Sequence, residues 1–272
     1  GMGLVAGREA HALGCNWNFA PMADMVFNWR NTIVNTRSFG TDPDIVTEMC
    51  RAYLKGCRQN NVLSCVKHFP GDGVEERDQH LVLGINSLSC EEWDASFGKV
   101  YQALIDDGIE SARAGHIAIP AYSRKYHPEL TDDKIRPATL APEIIRGLLR
   151  EKLGFQGIVV TDASHMGGML SAMPRSEQVP GAIAAGCDMF LFFPDPEEDF
   201  QYMLDGYRKG IITDERLTEA LERILGMKAK LGLHQKRQPD VMDDGQVLGC
   251  EEHYRISRKI ADTAVPIVKD TQ

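Results

Sequence analysis

The chain has 272 residues, of which 43% are hydrophobic and 25% are charged, a balance typical of a globular enzyme with one large domain or two small ones. Thirty basic and 39 acidic residues give a net charge of -9, with no dense Lys/Arg block to neutralise a run of phosphates. Nucleic acids and anionic membrane surfaces are therefore not expected as partners, and no apolar stretch reaches the roughly 18 residues of a membrane span.

The seven cysteines are odd in number and lie among apolar neighbours without a CxxC pair. This pattern predicts buried thiols in a reducing compartment, because secreted proteins tend to pair their cysteines. The first residues also lack the charged and then apolar pattern of a secretory signal. We therefore expect a cytoplasmic protein.

Short β-rich runs alternate with longer helical patterns along the chain, as in repeated βα units around a parallel sheet. A first helix is predicted at residues 3–13, and five strands are predicted at 16–23, 63–69, 111–118, 157–162 and 187–193. The helices that separate and follow these strands are predicted at 44–59, 91–107, 142–153, a stretch after Ser164, and 197–209. The order of elements predicts an α/β fold with about five βα units.

The C-terminal part of the chain changes character after one more helix. Residues 213–233 carry apolar side chains at helical spacing, with Asp214 and Glu215 in the first turn and Gly232 as a stop. Residues 234–249 are rich in Gln, Asp, Gly and Lys, which predicts a linker. A short helix and an apolar run at 264–268 follow.

Polar side chains stand at the carboxyl ends of the first four predicted strands. Asp24 follows the first strand, Lys67 and His68 lie on the second, His116 on the third and Asp162 on the fourth. In a (β/α)8 barrel of the TIM type, active-site groups project from this rim, whereas an open dinucleotide-binding sheet would carry a glycine-rich phosphate turn. The sequence has no GxGxxG or GxxxxGK[ST] motif, so the barrel is favoured.

The segment KHFPGDGVEERDQH, residues 67–80, combines basic, acidic and imidazole groups in a loop that follows a strand. Asp78 precedes His80 by two residues and is able to hold the imidazole tautomer that proton transfer needs. The alternative is a solvated charged loop, which the strand-end position disfavours. A metal cluster of His68, Asp72, Asp78 and His80 is not expected, because the segment lacks an HxxxH pair and includes Lys67.

The segment GFQGIVVTDASHMGG, residues 154–168, delivers Asp162 to the end of an apolar strand. A carboxylate there is unfavourable unless it is solvated, hydrogen-bonded or functional. An aspartate just before a helix is also a common N-cap. On its residues alone, Asp162 is therefore either a functional carboxylate or a helix cap.

Five segments match a known pattern in order and spacing: NFAPMAD at 18–24, NTRSFGTDP at 35–43, KHFPGDG at 67–73 with the following Asp78-Gln79-His80, GHIAIPA at 115–121, and GFQGIVVTDASHMGGM at 154–169. Together they resemble glycoside hydrolase family 3. The closing helix GIITDERLTEALERILGMKAKLGL resembles the same family, so the similarity covers residues 2–233. The resemblance implies a TIM-type barrel, here incomplete, with about five of its βα units visible.

The resemblance implies a retaining β-glycoside hydrolase that needs no cofactor and acts on a β-linked carbohydrate. Asp162 matches the nucleophile of the family. Further residues are expected to bind the substrate, either because the resemblance implies it or because they lie on the same rim. They are Asp24, Arg37, Lys67, His68 and His116. Because an aspartate is ionised at neutral pH and a histidine titrates near it, this pair of residue types suits a nucleophile and an acid/base.

Two branches of the family are represented in the loop. The GDG at 71–73 resembles the β-glucosidases, whose acid/base is a glutamate outside the barrel. The Asp78-x-His80 pattern resembles the β-N-acetylglucosaminidases, in which an Asp-His pair is the acid/base and the middle residue is usually serine rather than Gln79. We favour an exo-acting β-N-acetylglucosaminidase or β-N-acetylhexosaminidase, with β-glucosidase as the alternative; the group also contains phosphorylases.

Members of the family normally begin two or three βα units before the first strand seen here, and the final AVPIVKD resembles the opening of their second α/β domain. We therefore expect a partial barrel at residues 1–233, and a linker with the start of a second domain at 234–272. An open barrel leads to a rival hypothesis, an inactive fragment that self-associates as a homo-oligomer. An aldolase with Lys67 as Schiff-base lysine explains the Asp162 strand less well.

Overall fold

The computed structural model describes residues 1–235 and 244–264 and contains a five-stranded parallel sheet of order β1-β2-β4-β6-β7. The strands of this sheet are β1 (Trp17–Asn18), β2 (Leu63–Phe69), β4 (Ser111–Ala114), β6 (Ile158–Ala163) and β7 (Met189–Leu191), and a separate parallel pair is formed by β3 (Gly84–Ile85) and β5 (Ile117–Ala118). The sheet curls as half of a TIM-type barrel, so the predicted fold class is confirmed.

Helices cover the sheet and connect its strands. The α-helices are α1 (Met2–Ala12), α2 (Pro43–Arg58), α3 (Cys90–Trp93), α4 (Lys99–Asp106), α5 (Pro120–Tyr126), α6 (Gly167–Leu170), α7 (Arg175–Ala185), α8 (Pro196–Arg208), α9 (Asp214–Lys230), α10 (Asp244–Val247) and α11 (Glu251–Ala264). Asp94–Gly98 and Glu143–Lys152 are π-helical, and Asn35–Arg37, Asp132–Lys134 and Ala138–Leu140 are 3-10 turns. None of the helices in the part of the chain described is long and apolar enough to span a membrane.

The helix starts follow capping chemistry that is readable in the sequence. Asp42 and Asp195 each accept hydrogen bonds from two backbone N–H groups in the first turns of α2 and α8, and a proline occupies the first helical position in both. Thr213 caps α9 with one hydrogen bond, which its side chain accepts from the N–H of Arg216. For this reason the predicted helices begin within a few residues of the observed ones.

Three predicted strands were too long, and the simplest case is the run 187–193, which forms a strand only at Met189–Leu191. The run 16–23 forms a strand only at Trp17–Asn18, because Pro21 has no N–H to donate, and Met22 then makes a single bridge to Lys67. The run 111–118 is broken after Ala114, and its last two strand residues pair with Gly84–Ile85 instead of with the main sheet. The backbone groups of the second part are thereby satisfied by a loop that lies far away in sequence.

The core between the sheet and its helices fixes the end of β2. Phe69 packs edge-on against Trp93 and Tyr101, with ring centroids 6.1 and 5.1 Å apart, and Trp93 packs on Tyr122 in the same manner at 5.3 Å. Edge-to-face pairs of this kind stabilise a core beyond the area that they bury. Since Phe69 directly follows His68, this cluster also fixes the position of a predicted site residue.

A buried cluster of ion pairs joins the closing helix α9 to the end of the sheet that lies opposite the predicted site. Asp188, just before β7, is fully buried and pairs with Arg150, Arg216 and Arg223. One oxygen of Asp188 also accepts the N–H of Val159 at 2.9 Å. The cluster therefore joins β6, β7 and α9 on the face away from the predicted site.

The C-terminal helices pack on the first helix. Arg8 on α1 pairs with Glu252 at 2.9 Å, and Glu9 hydrogen-bonds to His253 at 2.8 Å. Half of the predicted linker and all but the first residue of the apolar run 264–268 lie outside the described residues, so the division at residue 233 stays a prediction. All seven cysteines are free thiols; Cys50, Cys57, Cys65 and Cys187 are buried as predicted, whereas Cys15 is exposed and Cys90 and Cys250 are partly exposed.

Candidate active site

The carboxyl ends of the parallel strands bring the predicted chemical groups to one rim. Asp162 is the next-to-last residue of β6, and Lys67 and His68 lie just before the last residue of β2. Between these strands lies β4, which contributes Arg113. The predicted clustering of polar residues from separate strands is therefore found in the structure.

Asp162 is a buried carboxylate surrounded by positive and hydrogen-bonding groups. Its side chain lies 3.3 Å from Arg113 Nε and 3.6 Å from His68 Nε2, and its Oδ1 accepts the N–H of Ala163 at 2.8 Å. Burial is the largest single influence and acts to raise the pKa of Asp162, but His68, Arg113, His116 and the Ala163 N–H together lower that pKa below its usual value. Asp162 is therefore ionised at neutral pH.

His68 is held in one orientation by Asp24. Asp24 Oδ2 lies 2.6 Å from His68 Nδ1, and Asp24 Oδ1 accepts the backbone N–H groups of His68 and Asp72 at 3.1 and 2.8 Å. A carboxylate can only accept, so Nδ1 carries the proton and Nε2 faces Asp162. Because Asp24 is fully buried behind His68, this geometry favours an orienting role over the predicted contact with a substrate.

His116 braces the end of the strand that carries Asp162. Its Nε2 donates to the carbonyl oxygen of Ala163 at 2.9 Å, and its Nδ1 accepts from the hydroxyl of Thr139 at 3.0 Å. Burial, the largest influence, lowers the pKa of His116 to about 4, so the ring is neutral. With both nitrogens bonded to protein groups, His116 supports the site from behind.

Lys67 lies near Asp162, and Arg37 lies near Lys67. Lys67 is partly buried, and its ammonium makes no hydrogen bond within the described residues. Burial lowers the pKa of Lys67, and repulsion from Arg113 and Arg37 lowers it further. Arg37, in the turn Asn35–Arg37, is exposed and donates to the carbonyl of Ile33 at 3.0 Å. The mouth of the site is therefore rich in positive charge.

Arg113 was not predicted from the sequence. Its guanidinium lies over the ring of Phe19 at 4.9 Å from the centroid, and its buried Nε makes no hydrogen bond in the described part of the chain, only the ion pair with Asp162. The one available signal was a basic residue inside SARA, a strand of otherwise small residues. Such a residue is unfavourable in a buried strand unless a partner carboxylate is present.

Asp78 and His80 form the predicted pair. Asp78 Oδ1 lies 2.7 Å from His80 Nδ1 and also accepts the backbone N–H of His80 at 2.8 Å. The His80 side chain is 54% exposed, and its Nε2 has no hydrogen-bond partner among the described residues. The carbonyl of His80 accepts the N–H of Gly167 at 2.7 Å, so the loop is docked on the segment that follows Asp162.

Two alternatives from the sequence are not favoured by the structure. The loop 71–80 is not simply solvated, because Asp72 and Gln79 within it are buried. Asp162 is not a helix cap, since the next helix begins at Gly167 with Met166 as its N-cap. Across residues 1–235 and 244–264, no group of three or more His, Cys, Asp or Glu side chains is arranged to hold a metal ion.

Comparison with known proteins places this arrangement in a family. A relative from Cellulomonas fimi named β-N-acetylglucosaminidase/β-glucosidase is 48% identical over 266 residues, which cover 98% of this chain and 47% of the relative. The solved structure of β-glucoside phosphorylase BglX bound to 2FGlc has a TM-score of 0.96 and 41% identity, covering 100% of this chain and 49% of that one.

A glycoside hydrolase family 3 β-N-acetylglucosaminidase from Paenibacillus sp. str. FPU-7 has a TM-score of 0.89 at 27% identity, covering 99% and 50% of the two chains. The chain thus spans about half the length of the relatives it matches. The family model described as the glycosyl hydrolase family 3 N terminal domain matches residues 1–227. With that match over most of its length, the chain belongs to glycosyl hydrolase family 3.

Proposed function

We propose that this chain provides the catalytic face of a retaining β-glycosidase that removes a terminal β-linked N-acetylglucosamine or glucose. The observation that carries the proposal is the ionised Asp162 at the rim, with the loop of His80 docked on the segment beside it. A retaining glycosidase needs a carboxylate nucleophile and a second group that is acid in one step and base in the next. Asp162 and His80 take these two roles.

In the first step, an Asp162 oxygen attacks the anomeric carbon while the bond to the leaving oxygen breaks. His80 gives its Nε2 proton to that oxygen, and Asp78 accepts the hydrogen bond from Nδ1 and stabilises the imidazolium before transfer. In the second step, neutral His80 takes a proton from water as the water oxygen attacks the same carbon. Asp162 leaves as a carboxylate, and the sugar retains its β configuration.

The sugar contacts are assigned to groups that the protein leaves available. Lys67 and Arg37 are able to donate to hydroxyl oxygens, and Arg113 holds Asp162 in its ionised form. His68 is oriented by Asp24 and turns Nε2 toward the site. The relatives are named for N-acetylglucosamine and for glucose, and both sugars are proposed as substrates here.

The test uses the longest open reading frame that encodes this chain. Nitrophenyl β-N-acetylglucosaminide and β-glucoside are hydrolysed, and the first anomer released is followed by proton NMR. We expect the β anomer from at least one of them. Release of the α anomer, or turnover of neither substrate by a folded protein, would contradict the proposal.

The positive charge at the mouth of the site favours a second candidate, transfer of the sugar to phosphate. Arg37 and Arg113 are both close enough to Lys67 to lower its pKa, and a histidine acid/base places no second anion beside an incoming phosphate. One structural relative is named a β-glucoside phosphorylase. Phosphorus NMR with phosphate present distinguishes the activities: a sugar 1-phosphate supports phosphorolysis, and free sugar alone supports hydrolysis.

A further inference from the structure

Gln79 lies between Asp78 and His80, yet its surroundings differ from theirs. Its neighbours are exposed or partly exposed, whereas Gln79 is only 1% exposed. Its Nε2 donates to Asp72 Oδ2 at 2.8 Å, and its Oε1 accepts the backbone N–H of His116 at 3.0 Å. The side chain therefore connects the start of the loop to His116, which braces the end of the strand that carries Asp162.

The backbone around Gln79 is fixed to the segment after Asp162. Gly168 N–H donates to the carbonyl of Gln79 at 3.0 Å, and Gly167 N–H donates to the carbonyl of His80 at 2.7 Å. A Cβ on Gly167 would lie 2.2 Å from the carbonyl oxygen of Leu81, and one on Gly168 would lie 2.8 Å from that of Gln79. Glycine is required at both positions for the two segments to approach this closely.

The amide side chain of Gln79 suits both of its partners. Asp72 presents a carboxylate oxygen that accepts, and His116 presents an N–H that donates, so the bridging group must supply one donor and one acceptor. The other oxygen of Asp72 already accepts the N–H of Gly73 and a side-chain N–H of Asn31. Loss of the amide would leave a buried carboxylate oxygen and a buried N–H without partners, which is unfavourable.

We infer that Gln79 is a positioning residue for the acid/base pair: its buried amide holds the loop in the docked position that presents His80 to the bond beside Asp162. The inference rests on the proposed function, because it takes proton transfer by His80 to be what the docked loop is for. Gln79 itself does not contact the reacting atoms.

The experiment compares Gln79→Met, which keeps the volume but removes both hydrogen bonds, with His80→Ala and the double variant. Gln102→Met is the control, because Gln102 likewise donates to an aspartate, Asp106 at 2.9 Å, on the outside of the barrel. The readout is kcat/KM on a dinitrophenyl glycoside, which needs no general acid, divided by kcat/KM on a disaccharide, which does.

His80→Ala is expected to raise this ratio by of order 10²- to 10⁴-fold. Gln79→Met is expected to raise it by roughly 10- to 10²-fold, the effect of a small misplacement of a catalytic group. Gln79→Met should add nothing in the His80→Ala background, because the two residues act through one step. A purely structural role would lower both rates equally and leave the ratio unchanged, which would overturn the inference.

Hydrogen exchange supplies a readout that does not depend on catalysis. Gln79→Met should increase deuterium uptake in peptides that cover residues 76–84 and 164–170, and Gln102→Met should not. Unchanged uptake in these peptides would overturn the inference whatever the kinetics. If uptake rises but His80→Ala shows no preference for the good leaving group, the acid/base assignment of the proposed function fails instead.

Discussion

Replacing Arg113 by methionine is expected to raise the pKa of Asp162 and so shift the acid limb of the pH–activity profile to higher pH. Arg113 Nε lies 3.3 Å from Asp162 Oδ1, and both side chains are largely buried. At that distance and an effective dielectric constant near 20, the attraction between unit charges is about 5 kcal/mol. His68 stays in place, however, and water enters the space that Arg113 vacates. We therefore expect the pKa of Asp162 to rise by less than the full attraction implies, by about 1 to 3 pH units, which is the shift that an adjacent arginine typically causes in an aspartate.

The direction of the change follows from the role of the carboxylate. Asp162 attacks only when ionised, so a higher pKa removes activity at acidic pH and leaves the plateau at higher pH in place. The profile of kcat/KM on a nitrophenyl glycoside reports the pKa values of the free enzyme and is the appropriate assay. Arg113→Lys is the matched control, since it keeps the charge. An acid limb that is unchanged in a folded Arg113→Met variant would refute this explanation of how Asp162 is kept ionised.

Three further predictions concern other parts of the molecule. His80→Ala should lose far more activity on a disaccharide than on a dinitrophenyl glycoside, and equal losses in kcat/KM would show that His80 is not the acid. Asp188→Asn should lower the free energy of unfolding by about 3 to 5 kcal/mol, because it removes the charged partner of three buried or partly buried arginines. Urea titration measures this change, and the substitution of an exposed aspartate, Asp133→Asn, is the control. The 272-residue chain, of 30.2 kDa, should associate through the outer edges of β1 and β7, which are unpaired among the described residues, and a concentration-independent monomer in light scattering would contradict this.

The sequence was most informative where local signals suffice. The strand at 63–69 was predicted with its observed bounds, because a β-rich apolar run ends at a proline. The run 111–118 was not predicted correctly, since its division depends on pairing of Ile117–Ala118 with a strand more than thirty residues away in sequence. The local pattern of residue types contains no information about such a distant partner. The π-helical hydrogen bonding of Glu143–Lys152 likewise had no signal in the sequence.

The candidate site shows the same division between local and long-range information. Strand-end position was enough to bring Asp162 and His68 together, and the two-residue spacing was enough to pair Asp78 with His80. The orienting role of Asp24 was not predictable, because it depends on which imidazole nitrogen the fold leaves free. For the same reason Gln79 looked like a simple variation of the loop motif until its buried partners were known.

The most direct test of the central assignment is to trap the glycosyl-enzyme with a 2-deoxy-2-fluoro-glucosyl fluoride or its 5-fluoro N-acetylglucosaminyl counterpart. Trypsin releases residues 153–175 as one peptide between Lys152 and Arg175, and Asp162 is its only acidic side chain. We predict a single adduct on that peptide, absent from Asp162→Asn, because the nucleophile forms the covalent intermediate. An adduct on another peptide, or normal labelling of Asp162→Asn, would contradict the assignment of Asp162 as the nucleophile.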